Sequence, residues 1–282
     1  MTFLIPPEYH VADTPRAEAA RILDCTEEAL DAFVSGGLTV SDDLFDSRDL
    51  FNLGLHSGSG RTLPEQAFAY ALRWMRSPTP SLLAPRTSRF SVRLSCACAS
   101  AAFAPPCDAT DVEVTATSLT ATIRTRGELS PLRSPDLVSL VGDFTALGLR
   151  WVKLPDALRH DEDVLLTHRV ASCDSASSYL ARRCLEAGFA ARTRRGWVIG
   201  MLDLVHAWVE VTDSDGVTKV IDPIFALLAT SVTDANPVLT DPSLSLRTNR
   251  LVPTDSRVGE HVAEHDCDLP ATIRITQLEE KS

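Results

Sequence analysis

The chain has 282 residues, of which 44% are hydrophobic and 23% charged, so it can bury a core without disulfide or metal staples. Its net charge of -11 excludes nucleic acid and anionic membrane surfaces as main partners, because both are bound through concentrated Lys and Arg. Seven cysteines, an odd number, follow an N-terminus without a basic or long apolar segment. We therefore expect a cytoplasmic protein with reduced thiols and no membrane span.

Residues 1–80 form the first predicted region, and their pattern is helical. Apolar positions within 15–35 recur at helical spacing, and Thr26 is typical of the N-cap of the second of two short helices. The run 21–38 resembles the helix-turn-helix of MerR-like or excisionase-like regulators. Within 18–56, however, nine acidic residues stand against two basic ones, a balance that would repel a phosphate backbone. We expect a helix-turn-helix-like region that binds no nucleic acid and has either a structural role or a role in docking a protein partner.

Residues 81–135 are predicted to be a strand-containing connecting region. A helix over Pro64–Met75 precedes it, and the proline-rich segment 77–81 marks the boundary. From residue 89 to 126, alternation of apolar and polar side chains predicts strands, separated by a turn at Pro105-Pro106.

The third region, 136–282, contains a helix whose first turn carries Cys173. Small or apolar side chains recur along one face of this helix: Ala176, Leu180, Cys184 and Ala187. Gly188 follows as the C-terminal cap of the helix. The same stripe predicts Cys173 on the inward face and six polar residues on the outward face: Asp174, Ser175, Ser178, Arg182, Arg183 and Glu186. Unpaired N–H groups at a helix N-terminus lower a thiol pKa, so we predict that Cys173 is reactive, with its own amide as an oxyanion donor. Cys184 is predicted to be a core thiol.

Two extended segments rich in Val, Ile and Trp follow this helix: 196–201 and 205–211. In the second segment a period of two places His206, Trp208 and Glu210 on one face. A turn over 213–216 then returns the chain antiparallel. Folding the hairpin about this turn predicts Asp222 opposite or nearly opposite His206, where a carboxylate holds the imidazole in one tautomer.

The stretch 170–225 resembles the transglutaminase-like cysteine enzymes. The resemblance is carried by a Cys at a helix start, a Gly-Phe-Ala-Ala-Arg segment, His-Ala-Trp-Val-Glu-Val and Ile-Asp-Pro. It implies an α+β, papain-like core, with the Cys-bearing helix packed on an antiparallel sheet and a small helical region before it. It also implies Cys173 as the nucleophile, His206 as the base and later the acid, and Asp222 as the orienting carboxylate.

The chain departs from the family pattern at two places. Ala171-Ser-Cys173 replaces the usual Gly before the nucleophile, and Phe189-Ala190 replaces the usual Ile-Pro. Neither departure removes a reacting group, so the substrate class is left open and the chemistry is not. The Trp or Gln that completes the oxyanion hole in the family cannot be aligned, and Trp151 and His168 are the candidates for that role.

Three functions are compatible with these residues. We favour acyl transfer to an amine through a thioester at Cys173, on a small-molecule, peptide or carrier-bound substrate of bacterial natural-product biosynthesis, without a cofactor. The alternative is a cysteine peptidase or amidase, and lasso-peptide leader peptidases have a similar Cys and His-Ala-Trp-Val-Glu surround. The third is a noncatalytic protein that docks a partner through its acidic N-terminal region.

Other patterns are weaker. His261 and His265 fit an H-x-x-E-H motif, but only seventeen residues follow, too few for a downstream domain with a third ligand. Cys96, Cys98 and Cys107 lack the paired spacing of a zinc site, so we predict no metal. The basic cluster 192–195 is typical of a solvated strand edge, or of a surface that receives an acidic substrate.

Overall fold

The computed structural model describes residues 3–94, 102–200, 205–260, 262–264 and 271–277. The chain contains runs of helices and runs of mostly antiparallel strands. The helices are α1 (Arg16–Leu23), α2 (Glu27–Ser35), α3 (Ser47–Leu55), α4 (Leu63–Leu72), α5 (Thr79–Leu83), α6 (Pro135–Ala146), α7 (Glu162–His168), α8 (Cys173–Glu186) and α9 (Pro223–Ala229). The strands are β1 (Thr14–Pro15), β2 (Val40–Ser41), β3 (Leu44–Phe45), β4 (Arg86–Leu94), β5 (Ala102–Phe103), β6 (Thr110–Val114), β7 (Ser118–Thr125), β8 (Glu128–Pro131), β9 (Arg150–Trp151), β10 (Val170–Ala171), β11 (Ala191–Val198), β12 (Val205–Thr212), β13 (Thr218–Ile221), β14 (Leu244–Arg247), β15 (Leu251–Pro253), β16 (Ala263–Glu264) and β17 (Ala271–Gln277).

Two compact units divide the chain. The first combines residues up to 73 with 149–175, and the second combines 74–148 with residues from 176 onward. Strand pairing and side-chain hydrogen bonds explain why residues 149–175 belong to the first unit. Strand β9 pairs in parallel with β10, and Asn52 of α3 exchanges hydrogen bonds of 2.9 and 2.8 Å with the backbone of Lys153. The predicted regions 1–80, 81–135 and 136–282 follow the chain, whereas each compact unit combines two separate segments.

In the first unit, the two short helices predicted within 15–35 are present as α1 and α2. The Thr26 side chain caps α2 by accepting the N–H of Ala29, and Asp24 ends α1 in the left-handed conformation. A small antiparallel sheet of order β1-β3-β2 follows. Six buried apolar side chains form the core here: Ala19, Leu23, Leu30, Leu38, Phe45 and Leu50. The likeness to a DNA-binding helix-turn-helix stays a prediction.

The predicted helix over Pro64–Met75 is α4, and it ends three residues early. Thr62 and Glu65 form a capping box at its start, in which each side chain bonds the backbone N–H of the other. After Leu72 the chain tightens into a 3-10 turn, Arg73–Arg76. The sequence pattern does not distinguish these two helix types, because both are right-handed and similar over a single turn.

The second unit contains two four-stranded antiparallel sheets, of order β13-β12-β11-β15 and β17-β4-β7-β6. Strands β4 and β7 confirm the strands predicted between 89 and 126, and β5 and β6 lie on either side of Pro105-Pro106. Alternate residues of β4 and β7 form one buried cluster with side chains of β11 and β15 and with the residue that follows β11: Phe90, Val92, Leu119, Ala121, Ile123, Trp197, Val252 and Ile199. No helix within the described ranges is long and apolar enough to cross a membrane.

Strand β11 lies earlier in the chain than predicted, over 191–198 instead of 196–201. Residues 201–204 lie outside the described residues. The predicted turn over 213–216 is present, with Gly216 at a φ of 75° and Thr212 paired with Thr218. The turn and the strand pairing are therefore confirmed.

Asp222 lies close to His206, as the hairpin predicted, but it is not a member of the strand ladder. The ladder between β12 and β13 ends with the pair Val209 and Ile221, so Asp222 lies beyond the last pair. Pro223 has no N–H for the ladder, and it starts α9 at its first position. Asp222 is consequently the N-cap of a helix, and its side chain approaches His206 diagonally.

Candidate active site

Cys173 is the first residue of α8, and two serines fix the start of that helix. The N–H of Ser172 donates to Ser175 Oγ at 3.0 Å, and the N–H of Ser175 donates to Ser172 Oγ at 3.2 Å. Ser172 Oγ also donates to the backbone carbonyl of Arg159 at 3.3 Å. This reciprocal arrangement is a capping box with Ser in the place of the usual Glu. It holds Cys173 at the position where the backbone N–H groups of the first turn have no partner within the helix.

The burial of α8 corrects part of the predicted stripe. Asp174 and Ser175, predicted to face outward, are buried, and Cys173 is half-buried. Ala187, predicted to be inward, is exposed. The middle of the stripe is confirmed by three buried side chains: Ala176, Leu180 and Cys184. A periodicity argument fails at a helix terminus, where polar side chains turn back to bond the backbone and are buried with it.

The two cysteines of α8 lie in different environments. Cys184 is fully buried, and burial raises the pKa of its thiol to about 11. Cys173 Sγ lies 3.9 Å from Asp174 Oδ1, in a setting that is polar and partly open. The prediction that Cys184 is a core thiol is confirmed.

His206 and Asp222 form a close, buried pair. His206 Nε2 lies 2.7 Å from Asp222 Oδ2, and the two residues are 5% and 8% exposed. The second carboxylate oxygen, Oδ1, accepts the N–H groups of Ile224 at 3.1 Å and Phe225 at 2.9 Å. The carboxylate is therefore fixed from both sides, by the imidazole and by the first turn of α9.

This pairing determines which ring nitrogen can act as a base. An ionised carboxylate only accepts hydrogen bonds, so Nε2 of His206 is the nitrogen that carries the proton facing Asp222. In the neutral imidazole, Nδ1 then has the lone pair. In this tautomer Nδ1 is the ring nitrogen that can accept a proton.

The candidates for the second oxyanion donor both lie in the first unit, as Cys173 does. Trp151 is paired with Ala171 in the β9–β10 ladder, two residues before Cys173. His168 is the last residue of α7, and its ring contacts Phe3 edge to face at 5.1 Å. Neither contact tests the predicted role. His206 and Asp222 both belong to the second unit.

Electrostatic pairing explains the basic cluster 192–195. Arg192 donates through Nε and Nη2 to Glu210, at 2.9 and 2.6 Å, and Arg194 contacts Glu210 and Asp255. Cys107 Sγ lies 3.6 Å from Arg194. Arg192 lies directly opposite Glu210 in the ladder of β11 and β12, and a cross-strand pair of opposite charges stabilises a sheet.

No group of metal-ligating side chains is present within the part of the chain that the structure describes. Cys96, Cys98, His261 and His265 lie outside the described residues.

Several residues of the site were missed by sequence reasoning. Ser172 and Ser175 show a signal that could have been found, because Ser-x-x-Ser before an apolar stripe is similar to a capping box. Phe225, whose N–H bonds Asp222, shows no comparable signal, because its position follows from the end of β13 and the start of α9.

No protein-family model matches the chain, and no curated protein matches it by sequence. Among solved structures, one similar chain is a "putative cysteine protease" from Cytophaga hutchinsonii. The two are 12% identical, the match covers 70% of this chain and 90% of that one, and the TM-score is 0.39. A likeness this low supports no conclusion about fold or activity.

Proposed function

We propose that the protein is a cysteine-dependent acyltransferase in which Cys173 is the nucleophile, His206 the base and Asp222 the orienting carboxylate. The observation that carries the proposal is the buried 2.7 Å pair of His206 Nε2 and Asp222 Oδ2. A carboxylate held by two backbone N–H groups and aimed at one imidazole nitrogen is the arrangement that keeps a catalytic base in one tautomer.

The proposed reaction begins with proton transfer from the Cys173 thiol to His206 Nδ1. The thiolate attacks the acyl carbonyl, and the tetrahedral oxyanion collapses as the imidazolium returns its proton to the leaving group. This step leaves a thioester at Cys173. An amine then attacks the thioester and its proton passes to Nδ1. The bond from the acyl carbon to Cys173 Sγ breaks, and the departing thiolate takes the proton back from Nδ1, which regenerates the thiol and the neutral imidazole. Asp222 stays ionised throughout and stabilises the imidazolium.

The fold proposed with this chemistry is a transglutaminase-like core. Helix α8 supplies the cysteine at its first position, and the antiparallel strands β12 and β13 supply the histidine and lead to the aspartate. The proposed acyl donor is an ester, thioester or amide, and the proposed acceptor is an amine.

Intact-mass measurement of the acylated protein tests the proposal. Purified protein is incubated with a reactive acyl thioester and with an activated ester, and the adduct is located by peptide mapping. We expect one acyl group on Cys173, lost faster with an added amine than in buffer alone. Cys173→Ala should form no adduct, and the matched variant Cys184→Ala should form it normally.

The other outcomes are equally informative. Equal loss of the adduct with and without amine would replace transfer by hydrolysis and favour a cysteine peptidase. No adduct on Cys173 with any donor would rule out both, and would leave the noncatalytic docking role.

A further inference from the structure

We infer that Phe225 is a positioning residue that holds the His206 imidazole in the orientation required by its bond to Asp222. A catalytic role of Phe225 rests on the proposed function, because it depends on His206 acting as the base. The contacts that support it all lie within the second unit.

The first contact is a parallel ring stack. The ring centroids of Phe225 and His206 are 4.8 Å apart, and the ring planes differ by 13°. An imidazole on a strand turns easily about the bond between Cβ and the ring, because that torsion has broad minima. A parallel ring at van der Waals distance blocks such rotation, since turning the imidazole would drive its edge into the Phe225 face.

The second contact comes from the backbone of the same residue. The Phe225 N–H donates to Asp222 Oδ1 at 2.9 Å, in the first turn of α9. Pro223 has no N–H, so Ile224 and Phe225 are the first two donors that the helix offers. One residue therefore fixes both partners of the buried bond, the carboxylate through its backbone and the imidazole through its side chain.

The Phe225 ring is itself supported. Trp74 contacts it edge to face, with centroids 5.2 Å apart, and the Arg250 guanidinium lies 4.9 Å from the Trp74 ring. Phe225 is 2% exposed and Trp74 is 4% exposed. The Trp74 contact limits how far the ring can move away from His206, and the low exposure of the Phe225 ring limits the access of water to the bond between His206 and Asp222. A bond without competing water is stronger and longer-lived.

Nitrogen-15 NMR of the full-length chain tests the inference without any substrate. The His206 signals are assigned by their loss in His206→Gln. We expect Phe225→Leu to speed exchange of the His206 Nε2 proton with water by about ten-fold, because the ring then rotates and admits water. Phe225→Tyr keeps the aromatic stack and should stay close to the wild type.

Phe90→Leu is the matched control. Phe90 is also fully buried in the second unit, and its ring contacts Trp197 with centroids 5.5 Å apart. This variant should lower Tm as Phe225→Leu does and leave the exchange of the Nε2 proton unchanged. If Phe225→Leu lowers Tm and also leaves that exchange unchanged, Phe225 only fills the core and the inference is overturned.

Trp74→Leu provides a second variant if Phe225→Leu fails to fold. It removes the support of the ring and keeps the ring itself, so a smaller rise in exchange is expected, and no rise would contradict the inference. For the acylation reaction, Phe225→Leu should lower kcat by about ten-fold with little change in KM. Because the NMR result needs no acyl donor, failure of the acylation test would remove the proposed function and leave the role of Phe225 in holding His206 intact.

Discussion

Gly196 lies directly opposite His206 in the antiparallel ladder of β11 and β12. A Cβ atom added at Gly196 would lie 2.1 Å from the Val252 carbonyl oxygen and 2.9 Å from the Trp208 ring. Gly196 is also paired with Pro253 of β15. Side chains of a cross-strand pair share one face, so the absence of a side chain here lets a neighbouring strand and an indole ring approach beside the histidine.

Gly196→Ala should therefore destabilise the fold and displace the strand that carries His206. We expect a loss of about 1–3 kcal/mol in the free energy of unfolding, because the methyl group meets backbone atoms that cannot turn away. Urea denaturation followed by circular dichroism measures this loss. Gly142→Ala is the control: it lies inside α6, where an added Cβ meets nothing within 4 Å, and it should be neutral or stabilising by about 1 kcal/mol. Equal stability of the two variants would show that β11 and β15 can move apart to admit the methyl group without loss of stability.

Caps and turns that depend on a few adjacent residues could be predicted from the sequence. Gly188 has a φ of 86° after α8, and the Phe189 N–H bonds the Cys184 carbonyl, as the predicted C-terminal cap requires. The turn over 213–216 and the N-cap at Thr26 were predictable for the same reason, since each depends on a few adjacent side chains.

Elements set by distant segments could not be predicted. The register of β12 and β13 places the last pair at Val209 and Ile221, and only the three-dimensional end of the strand shows that Asp222 caps a helix. The stack of Phe225 on His206 joins two elements that no periodicity relates. The mutual approach of His206 and Asp222 was predicted from the sequence, and the role of Asp222 as the N-cap of α9 was not.

Asp222→Asn should abolish most of the proposed activity while the protein remains folded. Oδ1 accepts two N–H groups of α9, so the Asn carbonyl oxygen must stay at the helix, and its NH₂ group must face His206. An NH₂ group donates, so Nε2 becomes the acceptor and the proton moves to Nδ1, the nitrogen needed as the base. We expect acylation of Cys173 to slow by roughly 10²–10⁴-fold.

Asp213→Asn is the control for Asp222→Asn. Asp213 is also a buried aspartate of the second unit, and it accepts the N–H groups of Arg133, Ser134 and Ser214. These bonds outweigh burial and lower its pKa, so the variant should lose stability. It should not alter the His206 tautomer measured by nitrogen-15 NMR. A normal rate in Asp222→Asn would show that the carboxylate does not orient the base.

Thiol labelling should separate the two cysteines of α8. Burial raises the pKa of Cys184 to about 11, so on the order of one thiol in ten thousand is ionised near neutral pH. Burial also raises the pKa of Cys25 and Cys107. We expect iodoacetamide to modify Cys173 first and Cys184 last among the described cysteines, as followed by peptide mapping of the folded protein. Labelling of Cys184 as fast as Cys173 would show that the register of α8 is wrong.

Asp49 in α3 and Asp46 at the N-cap of α3 should give opposite pH dependences of stability. Asp49 is fully buried, and burial raises its pKa to about 6, above the value of an unfolded chain. Its Oδ1 accepts the Ile5 N–H, and its Oδ2 has no hydrogen-bond partner within the described residues. The native state therefore binds more protons than the unfolded state between about pH 4 and 6, so stability falls as pH rises through this range.

Asp49→Asn should remove this loss, because the neutral amide keeps the bond to Ile5 and has no charge to bury. The free energy of unfolding of the variant, relative to the wild type, should rise by about 1–3 kcal/mol between pH 4 and 6, measured by urea denaturation at each pH. A difference that stays flat over that range would show that Asp49 is ionised in the folded protein at low pH.

Asp46→Asn should show the opposite sign. Burial alone would raise the Asp46 pKa, but hydrogen bonds from the Arg48 side chain and from the N–H groups of Val11 and Arg48 lower it overall. A lowered folded pKa adds stability above the unfolded value, and this stability is lost as pH falls through the folded value. The variant should thus be less stable than the wild type near pH 7, and the gap should close below about pH 4. The two residues are three positions apart and are both aspartates, so opposite slopes would come from their different surroundings: a guanidinium and two N–H groups for Asp46, and burial with a single N–H for Asp49.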